Sequence, residues 1–556
     1  MKNTCKNSHF FFVSFVVAVL LGPWPADAQD KTAEIDKIFN WATAATPGCA
    51  VAVSQNGKMI ANRAYGLADL EREVPISPNT IFDIGSTQKQ FVAAAVLLLV
   101  EDGKLSLTED IRKYLPQLPD YGHKITLDHL MTHTSGIRDW TALLPMAGGN
   151  TEVLPLILRQ RGLNFAPGDE WSYSNSSFVL LKEIVARVSG MSFGEFGQKR
   201  LFEPLGMKST SYHADMRGVI KNRALAYEKE NGSWKLAMLL DNDRGGGGLL
   251  STTGDLIIWN DALTNKRLGA FVTEKLQEQA KLNNGRQVKY ARGLIIDSYR
   301  GVKEVSHSGG AAGYHSWLGR HPAQGLSTVV LCNSDSMAAA ALAHRVIDLF
   351  VPATGTQGAE NNLPPIATGG VDVAGLDLNS KAGLYFGEAG GEPLRLVVDR
   401  GRLRVASGPA LVALSKDRFK RWGASLEFMS QDEFEVNFLS PDEFELKSME
   451  DKTTRYRRAK PYAPTAADLK VFAGRYESAE IGTVLLVEPK GDGLLVRLEH
   501  TPSRSLEVRP VERDTFQISR VTMCFIRDNA GKVLSLDYSN PLIRKVKFTR
   551  LGDCQR

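Results

Sequence analysis

The 556-residue sequence predicts a multidomain protein in which an α/β region is followed by an all-β region. Length is the first reason, because single hydrophobic cores stop growing beyond about 250 residues. The second reason is a change of periodicity. Helix-type and strand-type segments are mixed from about residue 30 to 350, whereas the later pattern is almost wholly of strand type. The third reason is an internal repeat within the later region.

The α/β region begins with a predicted β-hairpin, in which residues 51–53 and 59–64 flank Asn56-Gly57. A helix is predicted after Thr252, which forms a capping-box pattern with Asp255. The other predicted elements are helices at Phe91–Glu101, Phe178–Val188 and Met337–Leu349, and strands at Glu304–Ser306, Ser316–Gly319 and Ser327–Cys332. Together they indicate an α/β domain over residues 30–350, with strands at both ends and helices between them.

The region after residue 350 indicates a linker and two related β units. Residues 351–379 are rich in Gly, Pro, Ala and Thr, which predicts a linker. The pattern Leu378…Gly383-Leu384-Tyr385 recurs 91 residues later as Leu469…Gly474-Arg475-Tyr476. Two small antiparallel, lipocalin-like up-and-down β-barrels are therefore predicted, at residues 380–462 and 463–556.

The N-terminus has the pattern of a secretory signal peptide. Lys2 and Lys6 precede the apolar stretch Phe10–Leu21, and Ala26-Asp27-Ala28 fits the small-x-small cleavage rule. An uncleaved anchor is the alternative, but the apolar run is short for a membrane span. We predict a signal peptide over residues 1–28, no transmembrane helix in the mature chain, and a periplasmic or secreted bacterial protein.

Composition excludes several functional classes. The 67 basic and 62 acidic residues are spread along the chain, which argues against a nucleic-acid partner. The cysteines and histidines show no metal-ligand spacing, so no metal and no cofactor are predicted. The expected partner is a small-molecule or peptide substrate, and the sequence does not determine the oligomeric state.

Ser86 and Lys89 form the most informative short pattern. They share one face at the start of a helix that is apolar on every side. A lysine kept away from water shifts toward its neutral, basic form and can then activate a serine. Ser-x-x-Lys should occur by chance about twice in a chain of this length, so the interpretation depends on other motifs.

Two such motifs follow in the chain. Tyr173-Ser174-Asn175 lies in the turn before the predicted Phe178 helix, and His307-Ser308-Gly309-Gly310 follows the short Glu304–Ser306 strand. Taken in order, Ser86-x-x-Lys89, Tyr173-x-Asn175 and His307-x-Gly309 resemble the three motifs of the penicillin-recognising serine hydrolases. That group includes class C β-lactamases, DD-peptidases, related esterases and D-stereospecific aminopeptidases. Three supporting strings match the same group: Phe82–Gly85, Leu130–Gly136 and Gly247–Thr252.

The resemblance covers about residues 35–350 and implies a β-lactamase/transpeptidase-like catalytic domain, an antiparallel sheet with helices. It also implies that Ser86 attacks a carbonyl carbon to form an acyl-enzyme. Lys89 and the Tyr173 phenolate are assigned jointly as the base that takes the proton from the serine.

The resemblance assigns substrate contacts as well. Asn175 is expected to hydrogen-bond the substrate amide or to orient Lys89, and alone it is also a plausible helix N-cap. The backbone N–H groups of Ser86 and Gly310 are expected to form the oxyanion hole. Gly309 is expected to leave room for a substrate strand. His307 stands where many members carry lysine, and a largely neutral histidine disfavours a strong β-lactamase.

The leading interpretation is an exported serine hydrolase that acts on small amides or peptides. A catalytic domain followed by two repeated β-barrels most resembles the architecture of D-aminopeptidases, in which a loop from a C-terminal barrel reaches the active site. A carboxylesterase, or a weak β-lactamase or DD-peptidase, is the alternative within the same family. A non-catalytic penicillin-sensor-like or small-ligand-binding protein is a further alternative, and the complete set of Ser86, Lys89 and Tyr173 argues against it.

Other residues receive structural interpretations. Ser192 lies in a Gly-x-Ser-x-Gly pattern, but a helix precedes it, and with Glu195 it forms a capping box instead of a nucleophile elbow. His133 resembles a family residue that shapes the site, but a structural role is preferred for it. In the related family the strands of Cys49 and Cys332 are neighbours, which allows a disulfide.

A second pairing is also allowed. Cys524 and Cys554 lie in the same predicted barrel and are expected to be able to pair.

Overall fold

A computed structural model describes residues 31–148, 151–238, 248–352, 376–387, 393–399, 401–406, 410–421, 434–448, 453–460 and 462–552. The predicted signal peptide, most of the predicted linker and Cys554 lie outside these residues. In the part of the chain that is described, no helix combines the length and the hydropathy that crossing a membrane requires.

The α-helices are α1 Thr32–Ile38, α2 Lys89–Glu101, α3 Leu127–Met131, α4 Trp140–Leu143, α5 Val153–Leu158, α6 Asn175–Ser189, α7 Phe193–Gly197, α8 Glu203–Leu205, α9 Thr253–Thr264, α10 Ala270–Leu276, α11 Ala339–Ile347 and α12 Ala466–Lys470. Short 3-10 turns span Gly85–Gln88, Ile111–Lys113, Leu144–Met146, Pro322–Gln324 and Asn379–Lys381, and a π-helical turn spans Gln198–Phe202.

The strands of the α/β domain are β1 Cys49–Gln55, β2 Lys58–Tyr65, β3 Leu67–Asp69, β4 Val74–Pro75, β5 Phe82–Asp83, β6 Ser211–Tyr212, β7 Tyr227–Glu230, β8 Ser233–Leu236, β9 Leu249–Ser251, β10 Ile295–Tyr299, β11 Val302–Ala311, β12 Tyr314–His321 and β13 Leu326–Cys332.

The strands of the all-β region are β14 Gly383–Gly387, β15 Leu394–Asp399, β16 Arg402–Val405, β17 Val412–Ala413, β18 Arg418–Arg421, β19 Phe434–Ser440, β20 Glu443–Ser448, β21 Thr453–Arg458, β22 Gly474–Ser478, β23 Thr483–Lys490, β24 Gly493–Leu498, β25 Thr501–Glu512, β26 Thr515–Ile518, β27 Val521–Arg527, β28 Val533–Asn540 and β29 Ile543–Arg550.

An antiparallel sheet forms the centre of the α/β domain, with its described strands in the order β10-β11-β12-β13-β1-β2. Alternate residues of β1 belong to two different cores. Ala50 and Ala52 pack in the core that contains α2, whereas Val51 and Val53 pack in the core that contains α1 and α11. Helices therefore cover both faces of the sheet, which explains why β1 is apolar throughout instead of alternating.

The structure confirms one of the two disulfide pairings. Cys49 and Cys332 are directly opposite each other on β1 and β13 and are joined by a disulfide across a Cα–Cα distance of 4.1 Å. Cys524 is partly exposed, and its suggested partner lies outside the described residues.

The helix that follows Ser86 is buried on every side, as its sequence predicts. Residues 91–99 of α2 are each at most 7% exposed, and the helix contacts both α6 and α10. A helix that is apolar all round is stable only in the interior of a domain. The first turn of α2 is therefore held in a dry environment, and this turn carries Lys89.

Several predicted boundaries needed adjustment. Helix α6 begins at Asn175, and its N-cap is Ser174, whose hydroxyl accepts a hydrogen bond from the backbone N–H of Ser177, so the N-cap interpretation of Asn175 was wrong. Strand β11 continues through His307 to Ala311, so the motif lies within the strand and not after it. The capping box of Ser192 is confirmed.

The internal repeat corresponds to two related β units. In the first unit Tyr385 Oη donates to the backbone oxygen of Lys381, and in the second Tyr476 Oη donates to that of Phe472. An arginine guanidinium lies over each tyrosine ring. The shared Gly-x-Tyr pattern therefore marks the same local structure at the start of each unit.

The two units differ in closure. Strands β22–β29 form a closed eight-stranded barrel in a segment where every residue is described, which confirms the second predicted barrel. The described strands of the first unit form an open sheet, a half-barrel, whose edge strands β16 and β17 approach through the bridge between Arg404 and Ala410.

The closed barrel packs directly on the α/β domain. Leu143, Met146 and Leu156, on the segments around α4 and α5, belong to the same apolar cluster as the barrel interior. The barrel core thus continues into the α/β domain next to the segment that precedes α4.

Candidate active site

The turn that carries Ser86 is held by its neighbours on both sides. The Asp83 carboxylate accepts a hydrogen bond from the Gly85 N–H at 2.8 Å. Gly85 has a φ of +51°, and a Cβ placed there would lie 2.7 Å from Gly310 N. Only glycine fits this approach, which brings the backbone of the Ser86 turn against β11.

Lys89 lies against the serine in a dry environment. Its Nζ is 3.0 Å from Ser86 Oγ, and the residue is 1% exposed. Burial lowers the pKa of Lys89 to about 7, against the opposing effect of the Asp139 carboxylate, and Lys182 lowers the pKa further. A large fraction of the amine is therefore neutral near pH 7 and able to accept the serine proton.

Tyr173 lies beside the same pair. Its ring centroid is 4.7 Å from Lys89 Nζ, and a hydrogen bond links its side chain with Ser86. Burial raises the pKa of Tyr173 well above its usual value, and hydrogen bonding with Ser86 offsets this only in part. The phenol is therefore protonated at neutral pH, which favours Lys89 as the base of the joint pair in the free protein.

Asn175 orients Lys89 and is itself held by Asp139. Lys89 Nζ donates to Asn175 Oδ1 at 2.9 Å. The amide Nδ2 and the backbone N–H of Asn175 both donate to Asp139 Oδ2, at 3.0 and 2.7 Å. Of the two roles expected for Asn175, this geometry supports the orientation of Lys89.

Asp139 was not among the residues identified from the sequence. Its one local signal is that of an N-cap, since its side chain accepts from the Thr141 N–H at the start of α4. Nothing in its sequence position indicates that it would meet Asn175, which is 36 residues away.

His307 is held in one neutral tautomer by two partners. Its Nδ1 lies 2.6 Å from the Ser308 carbonyl oxygen, which can only accept, so Nδ1 carries the proton. Tyr290 Oη, 2.9 Å away, then donates to Nε2. Burial lowers the pKa of His307 to about 3, and the nearby Lys89 lowers it further. The imidazole is uncharged at neutral pH, and Tyr290 is a second residue that sequence reasoning missed.

Gly309 allows two segments of the protein to pack closely, which the sequence did not indicate. A Cβ on Gly309 would lie 2.0 Å from the Ile84 carbonyl oxygen and 2.4 Å from Ser316 Oγ. The space beside its Cα is thus filled by the protein, whereas we expected it to be left open for a substrate strand. The missing side chain lets β11 pack under the turn that carries Ser86, and the same approach brings Gly310 against Gly85, the residue before Ser86.

His133 packs against Tyr173 and helps to hold the Tyr173-Ser174-Asn175 segment. It has a φ of +60°, is fully buried, and accepts a hydrogen bond from the Ser174 N–H at its Nδ1. Its ring packs on that of Tyr173 with centroids 4.2 Å apart. Burial lowers its pKa well below the usual value, so it remains a neutral packing residue.

No group of three or more His, Cys, Asp or Glu side chains within the described ranges is arranged to hold a metal ion. The groups that the structure brings together at the site are the Ser86 hydroxyl, the Lys89 amine and the Tyr173 phenol.

A buried amine beside a serine, at the start of a central helix where the serine turn packs against strand β11 of an antiparallel sheet, defines a serine acyl-transfer hydrolase. Residues 35–351 match the family model described as Beta-lactamase, and the chain belongs to this family.

Relatives and solved structures extend the likeness into the all-β region. The D-aminopeptidase of Brucella canis is 26% identical over 529 residues, which cover 91% of this chain and 96% of the relative. The D-aminopeptidase of Cereibacter sphaeroides is 27% identical over 468 residues, which cover 82% and 84% of the two chains. The structure of an octameric penicillin-binding protein homologue from Pyrococcus abyssi has 25% sequence identity and a TM-score of 0.53, and the match covers 78% of this chain and 100% of that one.

Proposed function

We propose that this protein is an exported serine hydrolase of the D-aminopeptidase type, which cleaves small amides or peptides through an acyl-enzyme. The observation that carries the proposal is the contact between Lys89 Nζ and Ser86 Oγ in a site where burial lowers the pKa of the amine to about 7. This geometry supplies both the nucleophile and its base.

In the proposed reaction, Ser86 Oγ attacks the substrate carbonyl carbon while its proton passes to Lys89 Nζ. The backbone N–H groups of Ser86 and Gly310 hold the negative oxygen of the tetrahedral intermediate. The C–N bond then breaks, and the leaving amine takes the proton from Lys89, with the Tyr173 hydroxyl as a relay. Water then attacks the acyl carbon while its proton passes to Lys89, and the bond to Ser86 Oγ breaks as the serine takes that proton back.

The state of His307 supports the substrate class. A lysine at this position would offer a cation to a substrate carboxylate, whereas the imidazole held by Tyr290 and Ser308 is neutral. Substrates with a free carboxylate next to the scissile bond are therefore disfavoured in comparison with amino-terminal amides. The two D-aminopeptidase relatives, whose matches extend beyond the α/β domain, support the same choice.

The test is a comparison of D-alanine p-nitroanilide, its L-enantiomer, p-nitrophenyl acetate and nitrocefin. We expect turnover of the D-amide above that of the L-amide, weak nitrocefin hydrolysis, and loss of all activity in Ser86→Ala. Turnover of the ester alone would favour a carboxylesterase over the peptidase. A folded protein whose Ser86 does not react with a fluorophosphonate would point to a non-catalytic ligand-binding role.

We also propose export with cleavage after Ala28 and a division of the chain at residues 351–379. N-terminal sequencing of the exported protein should begin at Gln29, and limited proteolysis should cut within the linker segment. A retained N-terminus, or first cuts elsewhere, would contradict these two proposals separately.

A further inference from the structure

A carboxylate and two backbone carbonyl groups of the closed barrel bind the side chain of Arg138, which belongs to the α/β domain. Arg138 Nη1 lies 2.6 Å from Glu480 Oε2, and the two side chains are only 4% and 11% exposed. Arg138 Nε and Nη2 donate to the Arg544 carbonyl oxygen at 3.1 and 2.8 Å, and Nη2 also donates to that of Lys545 at 2.9 Å. Most of the hydrogen-bond partners of this guanidinium therefore come from the barrel.

Glu480, in turn, accepts further hydrogen bonds from the α/β domain. Its Oε2 accepts a second hydrogen bond from the Arg161 N–H at 2.7 Å, and its backbone oxygen accepts from Gln160 Nε2 at 3.1 Å. Removal of one partner from such a buried pair leaves the other charge without compensation. The contact thus specifies one position of the barrel against the segment around Arg138.

The same segment is joined to the start of α6. Ser176 Oγ donates to the Arg138 carbonyl oxygen at 2.7 Å and accepts from the Trp140 N–H at 2.9 Å. Asp139 lies between these two residues, and its carboxylate holds both the backbone and the side chain of Asn175. The position of Asp139 is therefore set by the hydrogen bonds of its two chain neighbours, Arg138 and Trp140.

A continuous set of contacts thus runs from the barrel to the serine. It passes from Glu480 to Arg138, through the chain to Asp139, then to the Asn175 amide and to Lys89 Nζ. We propose that Arg138 and Glu480 are positioning residues for the acyl-transfer reaction, which act by fixing the place of Asp139. This inference rests on the proposed function, because its readout is the reactivity of Ser86.

The test uses the full chain and the variant Glu480→Gln, which keeps the shape of the side chain and removes its charge. Glu512→Gln is the matched control, since Glu512 forms an ion pair with Arg457 that links the two β units at 2.5 Å. We expect Glu480→Gln to lower kcat, and the rate of Ser86 labelling by a fluorophosphonate, about tenfold or more, with KM changed less than about twofold. The control should change none of these quantities.

The pH profile separates positioning from simple loss of structure. The charged and titratable groups that face Lys89 are Asp139, Lys182, Tyr173, His133 and His307, and of these Asp139 is the one that raises the pKa of Lys89. When Asp139 is no longer held in place, the acidic limb of kcat/KM should move to lower pH. Glu480→Asp, which restores the charge, should move the limb back toward that of the wild type.

The outcomes are distinct. A folded Glu480→Gln with wild-type kcat and an unmoved acidic limb would overturn the inference and leave the proposed function intact. If that variant does not fold, Arg138→Met combined with Glu480→Met replaces the pair by apolar side chains, and wild-type kcat in this folded double variant would overturn the inference. A folded wild-type protein that neither turns over substrate nor labels at Ser86 would overturn the proposed function, and the inference with it.

Discussion

Asp139 accepts two hydrogen bonds from Asn175 on the same carboxylate oxygen, one from the backbone N–H at 2.7 Å and one from the side-chain amide at 3.0 Å. Because a carboxylate only accepts, the side-chain contact assigns Nδ2 to Asp139 and leaves Oδ1 for Lys89. One acidic residue thus determines which end of the amide faces the amine.

Asp139→Asn should lower kcat by about 100-fold, because a side chain that can also donate no longer defines the orientation of the Asn175 amide. KM should change little, since Asp139 contacts Asn175 and not the proposed substrate position. Steady-state kinetics on the substrate that the wild type turns over best measures both. Asp297→Asn, which removes a surface partner of Lys289, is the control and should behave as the wild type. An unchanged kcat in Asp139→Asn would contradict the assigned orientation.

The rate of Ser86 acylation should rise with pH through about 7 and then level off. Burial lowers the pKa of Lys89 to about 7, and the neutral amine, which predominates above that pH, is the active form. Stopped-flow labelling between pH 5 and pH 9 measures the profile. A rate that falls as the pH rises through 7 would be incompatible with Lys89 as the base.

Lys89→Met should abolish acylation without lowering the free energy of unfolding. The lysine loses its hydration when it is buried, and the depressed pKa of Lys89 expresses this cost. Urea unfolding at pH 6 compares the two proteins. A clear loss of stability would mean that Lys89 contributes to the fold, contrary to this expectation.

Tyr290→Phe should destabilise the protein by about 1–3 kcal/mol, because it leaves the buried Nε2 of His307 without its donor. Tyr121→Phe is the control, since that hydroxyl donates to the Gln160 backbone oxygen at a half-buried position and should matter less. Equal urea midpoints for Tyr290→Phe and the wild type would contradict the assigned tautomer of His307.

Glu304 should make the protein sensitive to acid. Burial raises the pKa of Glu304, but the close approach of His321 and the hydrogen bond with His344 outweigh that effect and bring the pKa to about 2. Since this value lies below the unfolded value of about 4.3, the contribution of Glu304 to stability is complete above pH 4.3. It is lost as the pH falls toward 2, and it amounts to about 3 kcal/mol.

Urea unfolding at pH 6 and pH 3 should therefore show a smaller difference for Glu304→Gln than for the wild type. Glu274→Gln, at an exposed ion pair with Lys266, is the control and should keep the wild-type difference. If the free energy of unfolding depended on pH equally in all three proteins, Glu304 would be excluded as the source of the acid sensitivity.

Patterns between near neighbours in the chain were sufficient to predict much of the fold. The hairpin β1–β2, the central helix α2 and the capping box of Ser192 all follow from local periodicity and local hydrogen bonds. The closure of the β units did not follow from the repeat. Whether a sheet closes depends on the lengths and pairing of its edge strands, and the repeat does not encode these.

The sequence by itself determined that Ser86 and Lys89 share one face, because residues three apart are neighbours at the start of a helix. It also determined that this helix is internal, because all of its sides are apolar. Only the tertiary structure decided that Asp139 and Tyr290 contact the site residues Asn175 and His307, and that Glu480 contacts Arg138 next to Asp139. These contacts form through long-range packing, and the choice among the many acids and tyrosines of the chain depends on which segments the folded protein brings together.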